Sequence, residues 1–277
     1  MKNFFRNIFI LIIISILIYS YARYIEPNLL NVHHKNIDSK LVENNKNEIK
    51  ILQFSDTHIS ESFDMEDLQN MVNKINDENA DIVVFSGDLI DHFNDYDYKG
   101  DVDKIWQILS EINAPLGKYA IYGNHDYGGG AERIYKKIME NSGFVLLINE
   151  NYKIHQFNIN IIGLDDSIFG NFDASLMNNL SDENFYNIVL SHEPDVVDSL
   201  LEYNVDLILS GHSHGGQVNV PFLSSAMLPE LAKKYTRGLY EFENFRNTNL
   251  YVNIGIGTSQ IPFRFMAVPE LSVINLK

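Results

Sequence analysis

The chain has 277 residues, 45% hydrophobic and 12% aromatic, enough to bury a sizeable core, which excludes disorder as its main character. Its formal net charge of −16 excludes general binding to the phosphate backbone of long nucleic acids, which takes clustered Lys and Arg. The absence of cysteine excludes a disulfide framework, a thiolate metal site and a cysteine nucleophile, so any metal must be held by His, Asp, Glu or Asn.

In chain order, Lys2 and Arg6 precede a charge-free stretch over 7–22 that is almost wholly aliphatic from Ile8 to Ile18. As a helix it spans about 24 Å of a hydrocarbon core about 30 Å thick, with Arg6 and Arg23 able to snorkel and Tyr19, Tyr21 and Tyr24 suited to an aromatic belt. Residues 1–25 are therefore expected to form one N-terminal transmembrane helix or, failing that, a signal segment cleaved near Ser20-Tyr21-Ala22. A basic start followed by an apolar run favours export, so the expected location is the cell membrane, single-pass, with the remainder extracytoplasmic. Residues 26–48 read as a polar linker, with His33 and His34 solvated in it.

From residue 49 to 277 a single domain is expected. Short runs rich in Ile, Val, Leu and Tyr predict strands over 50–54, 82–85, 119–122, 144–148, 159–164, 188–190, 207–209, 250–254 and 271–275. Between them, Met65, Leu68, Met71, Val72 and Ile75 recur at helical spacing, as do Val102, Ile105, Trp106, Leu109 and Ile112. Further helices are expected over 132–141, stopped by Gly143, and over 195–203. This alternation indicates a layered α/β architecture.

The chemistry lies in the turns at the strand ends. Five strands end in turns carrying Asp, Asn or His: Asp56-Thr57-His58, Gly87-Asp88, Gly123-Asn124-His125-Asp126, Ser191-His192 and Gly211-His212-Ser213-His214. In α/β sheets such ends gather on one edge, and residues two apart point the same way from an extended backbone. Imidazole with carboxylate suits borderline divalent ions such as Mn, Fe or Zn. The candidates exceed what one four-coordinate ion uses and suit two, with Asp88 as the bridging carboxylate. Two ions, Asp56, Asp88 and a shared hydroxide leave a local charge of about +1, fit for an anionic substrate.

These blocks, in order, resemble the calcineurin-like metallophosphoesterases, with D-x-H, G-D, G-N-H-D/E, H and G-H-x-H all present between Asp56 and His214. The resemblance implies a four-layer α-β-β-α sandwich of two mixed sheets. It implies metal ligands Asp56, His58, Asp88 and His214 for one ion and Asp88, Asn124, His192 and His212 for the other. It also implies that His125 is catalytic, contacting substrate and protonating the leaving oxygen, with Asp126 orienting it. Gly211 to Gln217, Tyr235-Thr236-Arg237-Gly238-Leu239-Tyr240 and Pro262-Phe263-Arg264-Phe265 with Pro269-Glu270 are similar to the YkuE/YaeI-type bacterial branch of envelope-associated phosphodiesterases. The eukaryotic-type serine/threonine phosphatases match less well, since Asp91 is followed by His92-Phe93 and the third block ends in Asp126.

The expected function is thus metal-dependent hydrolysis of phosphoester bonds. A phosphodiesterase acting on lipid- or envelope-linked substrates through a hydroxide activated by two metals is favoured. The alternatives are a non-catalytic binding module on the same fold and a nucleotide phosphodiesterase. The expected partners are the phosphoester substrate and the membrane. Among lesser candidates, Arg237 and Arg264 are weighed as phosphate contacts against surface ion pairs, Asp165 and Asp166 as site-edge residues against turn caps, and Asp91 as a buttress for a ligand histidine.

Overall fold

The computed structural model describes residues 1–42, 48–94, 102–220 and 227–277, so part of the expected linker, 43–47, lies outside the described residues. Helix α1 (Lys2–Ser20) has no buried residue and has the length and composition of a membrane span or a signal sequence. A π turn (Tyr21–Ile25) and a 3-10 turn (Glu26–Asn28) come next, with Ala22 and Glu26 buried against the rest of the chain.

The remaining elements are β1 (Asn31–Ile37), β2 (Ile49–Phe54), α2 (Met65–Asp77), β3 (Ile82–Phe85), α3 (Val102–Ser110), β4 (Lys118–Ala120), α4 (Asn124–Gly128), α5 (Glu132–Asn141), β5 (Phe144–Leu146), β6 (Glu150–Ile154), β7 (Ile159–Gly163), α6 (Met177–Leu180), β8 (Tyr186–Leu190), β9 (Leu207–Ser210), β10 (Gly238–Glu241), β11 (Asn249–Val252) and β12 (Glu270–Leu276). They build two six-stranded mixed sheets, ordered β1-β12-β2-β3-β4-β5 and β10-β11-β9-β8-β7-β6. In the first, β2, β3, β4 and β5 run parallel; in the second, β11, β9, β8 and β7 do.

Alternation along the strands sorts the side chains into layers. Ile51, Val84 and Ile121 of the first sheet meet Ile161, Ile188 and Leu209 of the second in a core between the sheets. The outer face of the first sheet (Leu52, Val83, Phe85) packs on α2, α3 and α5. Helix α2 starts where Asp64 accepts from the amides of Glu66 and Asp67 while Asp67 Oδ2 accepts from the Asp64 amide, and it buries Leu68, Met71, Val72 and Ile75. The outer face of the second sheet (Ile162, Val189, Ile208) is covered by Met177, Val197 and Leu200 from short helical turns. The expected four-layer sandwich is thus present.

The differences from the sequence reading lie mostly at edges. The linker region contributes β1, whose mostly exposed N-V-H-H-K-N-I carries no hydrophobic run and is held by pairing with β12. Its His33 and His34 lie near Glu270 (3.7 Å) and Glu78 (3.3 Å). Strands β6 and β10 escape a hydrophobicity reading for the same reason. Instead of an α-helix over 195–203, a 3-10 helix spans Pro194–Ser199 and buries Val197, with Leu200 buried just beyond it.

Gly163 marks a close approach of the two sheets. A Cβ there would collide with Leu147 Cβ and lie 2.9 Å from Ile121 Cγ2. In most strands Gly→Ala stabilises; here Gly163→Ala is expected to cost about 1–3 kcal/mol through overpacking, read as a lower midpoint in urea unfolding.

Candidate active site

The carboxyl ends of β2, β3 and β4 in one sheet and of β8 and β9 in the other open on the same edge. The turns after β2 and β3 continue side by side: the amides of Asp56, His58 and Ile59 donate to the carbonyls of Gly87, Asp88 and Leu89. The turns after β8 and β9 are joined by Gly211 N–H donating to His192 O (3.0 Å). Bonds then cross between the sheets. The His212 amide donates to both oxygens of Asp56 (3.1 and 3.0 Å), and Gln53 Nε2 donates to Ser210 O (2.9 Å).

Five of the expected ligands, Asp56, His58, Asp88, His212 and His214, have positive φ (51°, 41°, 62°, 66° and 48°). Non-glycine residues rarely adopt this conformation, and where it recurs the surroundings must hold it. It turns each side chain back over the sheet edge. Gly87 (φ 99°) is required beside them, since a Cβ would meet Gly123 N at 2.6 Å and His192 Nδ1 at 2.8 Å.

All the expected metal ligands converge. His58 Nε2 lies 3.0 Å from His214 Nε2 and 3.9 Å from Asp56 Oδ1, and His214 Nε2 lies 3.5 Å from Asp56 Oδ1. Asp88 Oδ2 is 3.5 Å from His58 Nε2 and 3.2 Å from His192 Nε2, which is 3.2 Å from Asn124 Oδ1. His212 stacks edge-on to His192 with ring centres 4.9 Å apart. Asp56/His58/His214 and Asp88/His192/His212 each bring ligand atoms within reach of one ion.

The remote nitrogens fix which atom faces the site. His58 Nδ1 sits 3.1 Å from Asp91 Oδ1 and His192 Nδ1 donates to Ser86 O (2.6 Å), leaving Nε2 of each for a ligand; His212 instead gives Nε2 to Glu230 O (2.8 Å). Asp56 and Asp88 are buried, and among the described residues their ion partners are all histidines. Buried carboxylates faced by imidazole nitrogens fit two divalent cations.

The charge balance agrees. Burial would raise the Asp88 pKa, but His192 and His125 hold it well below the carboxylate range. Burial depresses His192, yet Asp88 outweighs it and raises that imidazole well above its usual value, so a proton does for Asp88 what a cation would. His212, lowered to about 4 by burial and by His192, and His214, lowered by burial, His58 and Arg264, are neutral donors at neutral pH.

His125 stands at the mouth. Its amide donates to Asp88 Oδ1 (2.8 Å), its Nδ1 donates to Asp91 O (2.9 Å), and its Nε2 lies 3.5 Å from Ser259 Oγ. Burial lowers its pKa, but Asp88 and Asp91 prevail and raise it to about 9. The expectation that Asp126 orients this ring is corrected. The Asp126 carboxylate accepts from the amides of Asp88 (2.9 Å), Leu89 (3.0 Å) and Gly123 (2.8 Å), because it starts helix α4 and faces the turn after β3. Asp91 holds His125 instead, with Oδ1 3.3 Å from its Nδ1, and buttresses His58 as well.

A cavity of about 310 Å³ opens over these groups, walled by Gln217, Leu228, Ser259 and Ile261, none of which the sequence marked as a lining residue. Arg264 is neither a phosphate contact nor a surface ion pair. It is fully buried and donates to the carbonyls of Ile254, Gly257 and Ala267, with Nη2 3.4 Å from His214 Nδ1. Arg237 donates to Gly215 O (2.6 Å). Asp165 and Asp166 cap their own loop through the amides of Asn171, Ile168 and Phe169.

Comparison with known proteins agrees with this geometry. The calcineurin-like phosphoesterase family matches residues 49–216. The chain is 40% identical to the metallophosphoesterase YkuE of Bacillus subtilis over 94% of its own length and 90% of the relative's. It is 31% identical to a metallophosphoesterase of Aquifex aeolicus, covering 95% and 98%. It is 28% identical to the UDP-2,3-diacylglucosamine pyrophosphatase LpxG of Chlamydia muridarum, covering 94% and 93%.

Because Asp126 satisfies three buried amides, Asp126→Ala is expected to lower the stability of the metal-free protein by about 3 kcal/mol or more, since each orphaned donor costs about 1–3 kcal/mol. Urea denaturation in a chelator checks this; an unchanged midpoint would remove the bracing role.

Proposed function

The chain belongs to the calcineurin-like phosphoesterase family, and on that premise we propose that it is a membrane-anchored hydrolase of phosphodiester or pyrophosphate bonds in lipid- or envelope-linked substrates. In this reading 1–25 is the anchor, and the rest of the chain is the extracytoplasmic catalytic domain, with β1 from the 26–48 segment built into its first sheet. The apolar α1 supports the membrane half of the proposal, and the similarity to a diacylglucosamine pyrophosphatase supports a substrate with acyl chains.

The observation that carries the site is the position of Asp88, with one oxygen within 3.5 Å of imidazoles from both halves of the cluster. One ion is assigned to Asp56, His58, Asp88 and His214, and the other to Asp88, Asn124, His192 and His212, with Asp88 shared. Bound there, two divalent ions (Mn, Fe or Zn) would lower the pKa of a water and offset negative charge on the phosphoryl oxygens.

The chain's own groups do the rest. Asp91 and Ser86 hold the imidazoles of His58 and His192 in one tautomer, so no reorganisation is needed when substrate arrives. Gln217, Leu228 and Ile261 narrow the approach to the site. In the metal-free protein His125 carries a proton at neutral pH, and its Nε2 faces the cavity while Nδ1 is tied to Asp91. As water oxygen bonds to phosphorus and the ester oxygen departs, the proton on His125 Nε2 passes to that oxygen.

Two variants test this. Asp88→Asn is expected to abolish metal-dependent cleavage of bis(p-nitrophenyl) phosphate, and unchanged turnover would remove the shared-ligand assignment. His125→Ala is expected to keep both ions by elemental analysis while kcat falls about 10²–10⁴-fold. A loss of metal in that variant would make His125 a ligand instead.

A further inference from the structure

The end of the apolar helix does not swing free of the site; it is docked on a segment that also forms the cavity wall. Tyr19 packs edge-on against Phe263 with ring centres 5.2 Å apart, and Tyr21 against Phe265 at 6.3 Å. Arg264 N–H donates to Ala22 O (3.0 Å), and Ala267 N–H donates to the buried Glu26 Oε1 (2.6 Å). Along that same segment, Ser259, Gln260 and Ile261 line the cavity that holds Asp88, His125 and His214.

This docking sets the height of the cavity mouth. Helix α1 has 19 residues, which at 1.5 Å each is about 28 Å, close to the hydrocarbon thickness of about 30 Å. If it crosses a bilayer, Tyr19 to Ala22 lie at the hydrocarbon–headgroup boundary. Phe263, against Tyr19, lies there too. Ile261 is two residues away, at most about 7 Å along the chain.

The side chains at that level suit it. Met266 is 54% exposed, Met227 44% and Ile261 38%, next to the half-buried Phe263 and Phe265, a set of exposed apolar groups that water does not favour. The only cation in 261–266, Arg264, is fully buried, so the surface this segment presents is apolar.

We propose that the segment 261–266, with Met227, forms an apolar rim that enters the bilayer interface beside α1 and opens the metal-site cavity at headgroup level. A lipid-linked phosphoester would then enter headgroup first, with its acyl chains remaining in the bilayer. This rests on the reading of α1 as an uncleaved anchor and is separable from it by experiment.

The chain has no native cysteine, so single-cysteine variants can be labelled cleanly. The full chain would be reconstituted in phosphatidylcholine vesicles with an environment-sensitive fluorophore on Met266→Cys, on Leu11→Cys within α1, or on Phe245→Cys, an exposed position just before the start of β11, at the opposite edge from the site. The expected result is a blue-shifted Met266 label, quenched several-fold more by headgroup-level spin-labelled lipid than the Phe245 label, with the Leu11 label quenched by mid-chain spin labels. A quenched Leu11 label beside a Met266 label that behaves like Phe245 would overturn the rim and leave the anchor. Lipid quenching at neither Leu11 nor Met266 would overturn both. A blue shift at Met266 without lipid quenching would mean that protein, such as a second copy of the chain, covers the rim, and would also overturn the proposal.

Discussion

Two buried carboxylates, Asp56 and Asp88, where the two sheets meet, govern the rest of this structure. Removing such charges from water is costly, and among the described residues only imidazoles pair with them. In the metal-free state, protonated His192 and His125 compensate Asp88. Divalent cations would do so with more charge and would displace the proton of the ligand His192, so metal affinity and fold stability are linked. The sandwich brings carboxylates from one sheet against histidines from the other, which makes the site a clasp between its halves as well as a place for chemistry.

That clasp depends on backbone conformations the chain would not choose locally. Five of the proposed ligands sit in the left-handed region, and Gly87 and Gly211 make room where any side chain would strike backbone or neighbouring side chains of the site. Asp126 binds three amides of these turns, and Arg264 binds carbonyls of the turn after β11. Both hold turns in place through these hydrogen bonds. The strained turns and the groups that brace them are one structural unit.

How much of this was legible in the sequence has the same physical basis. The buried strands and ligand turns were, because a run such as Ile82-Val83-Val84-Phe85 followed by Gly-Asp has few other uses. Strand β1 was not, since an edge strand with mostly exposed side chains has no hydrophobic period and is fixed by a partner 239 positions later (Asn31 with Glu270). The partner of His125 was not, and the expectation fell on Asp126. Asp126 is adjacent in sequence, but the first turn of α4 points its carboxylate at the β3 turn, while Asp91 reaches the ring from a different loop. Arg264 reads as a free cation in an acidic chain, and only packing shows that backbone carbonyls surround it.

The two ends of the described chain run together, and this decides how the site relates to α1. Residues 19–26 lie against 263–267, and the next residues continue directly into the parallel pairing of Asn31–Ile37 with Glu270–Leu276. A flexible polar tether would let the site sample all orientations above a surface. A helix end fixed by aromatic packing, a buried Glu26 and a strand pair allows very few. The same segment passes through Arg264 to the carbonyls of Ile254 and Gly257 and to the neighbourhood of His214. Displacing the helix end would therefore disturb the backbone that supports the ligand turns, so the orientation of the cavity and the integrity of its metal cluster rest on the same contacts.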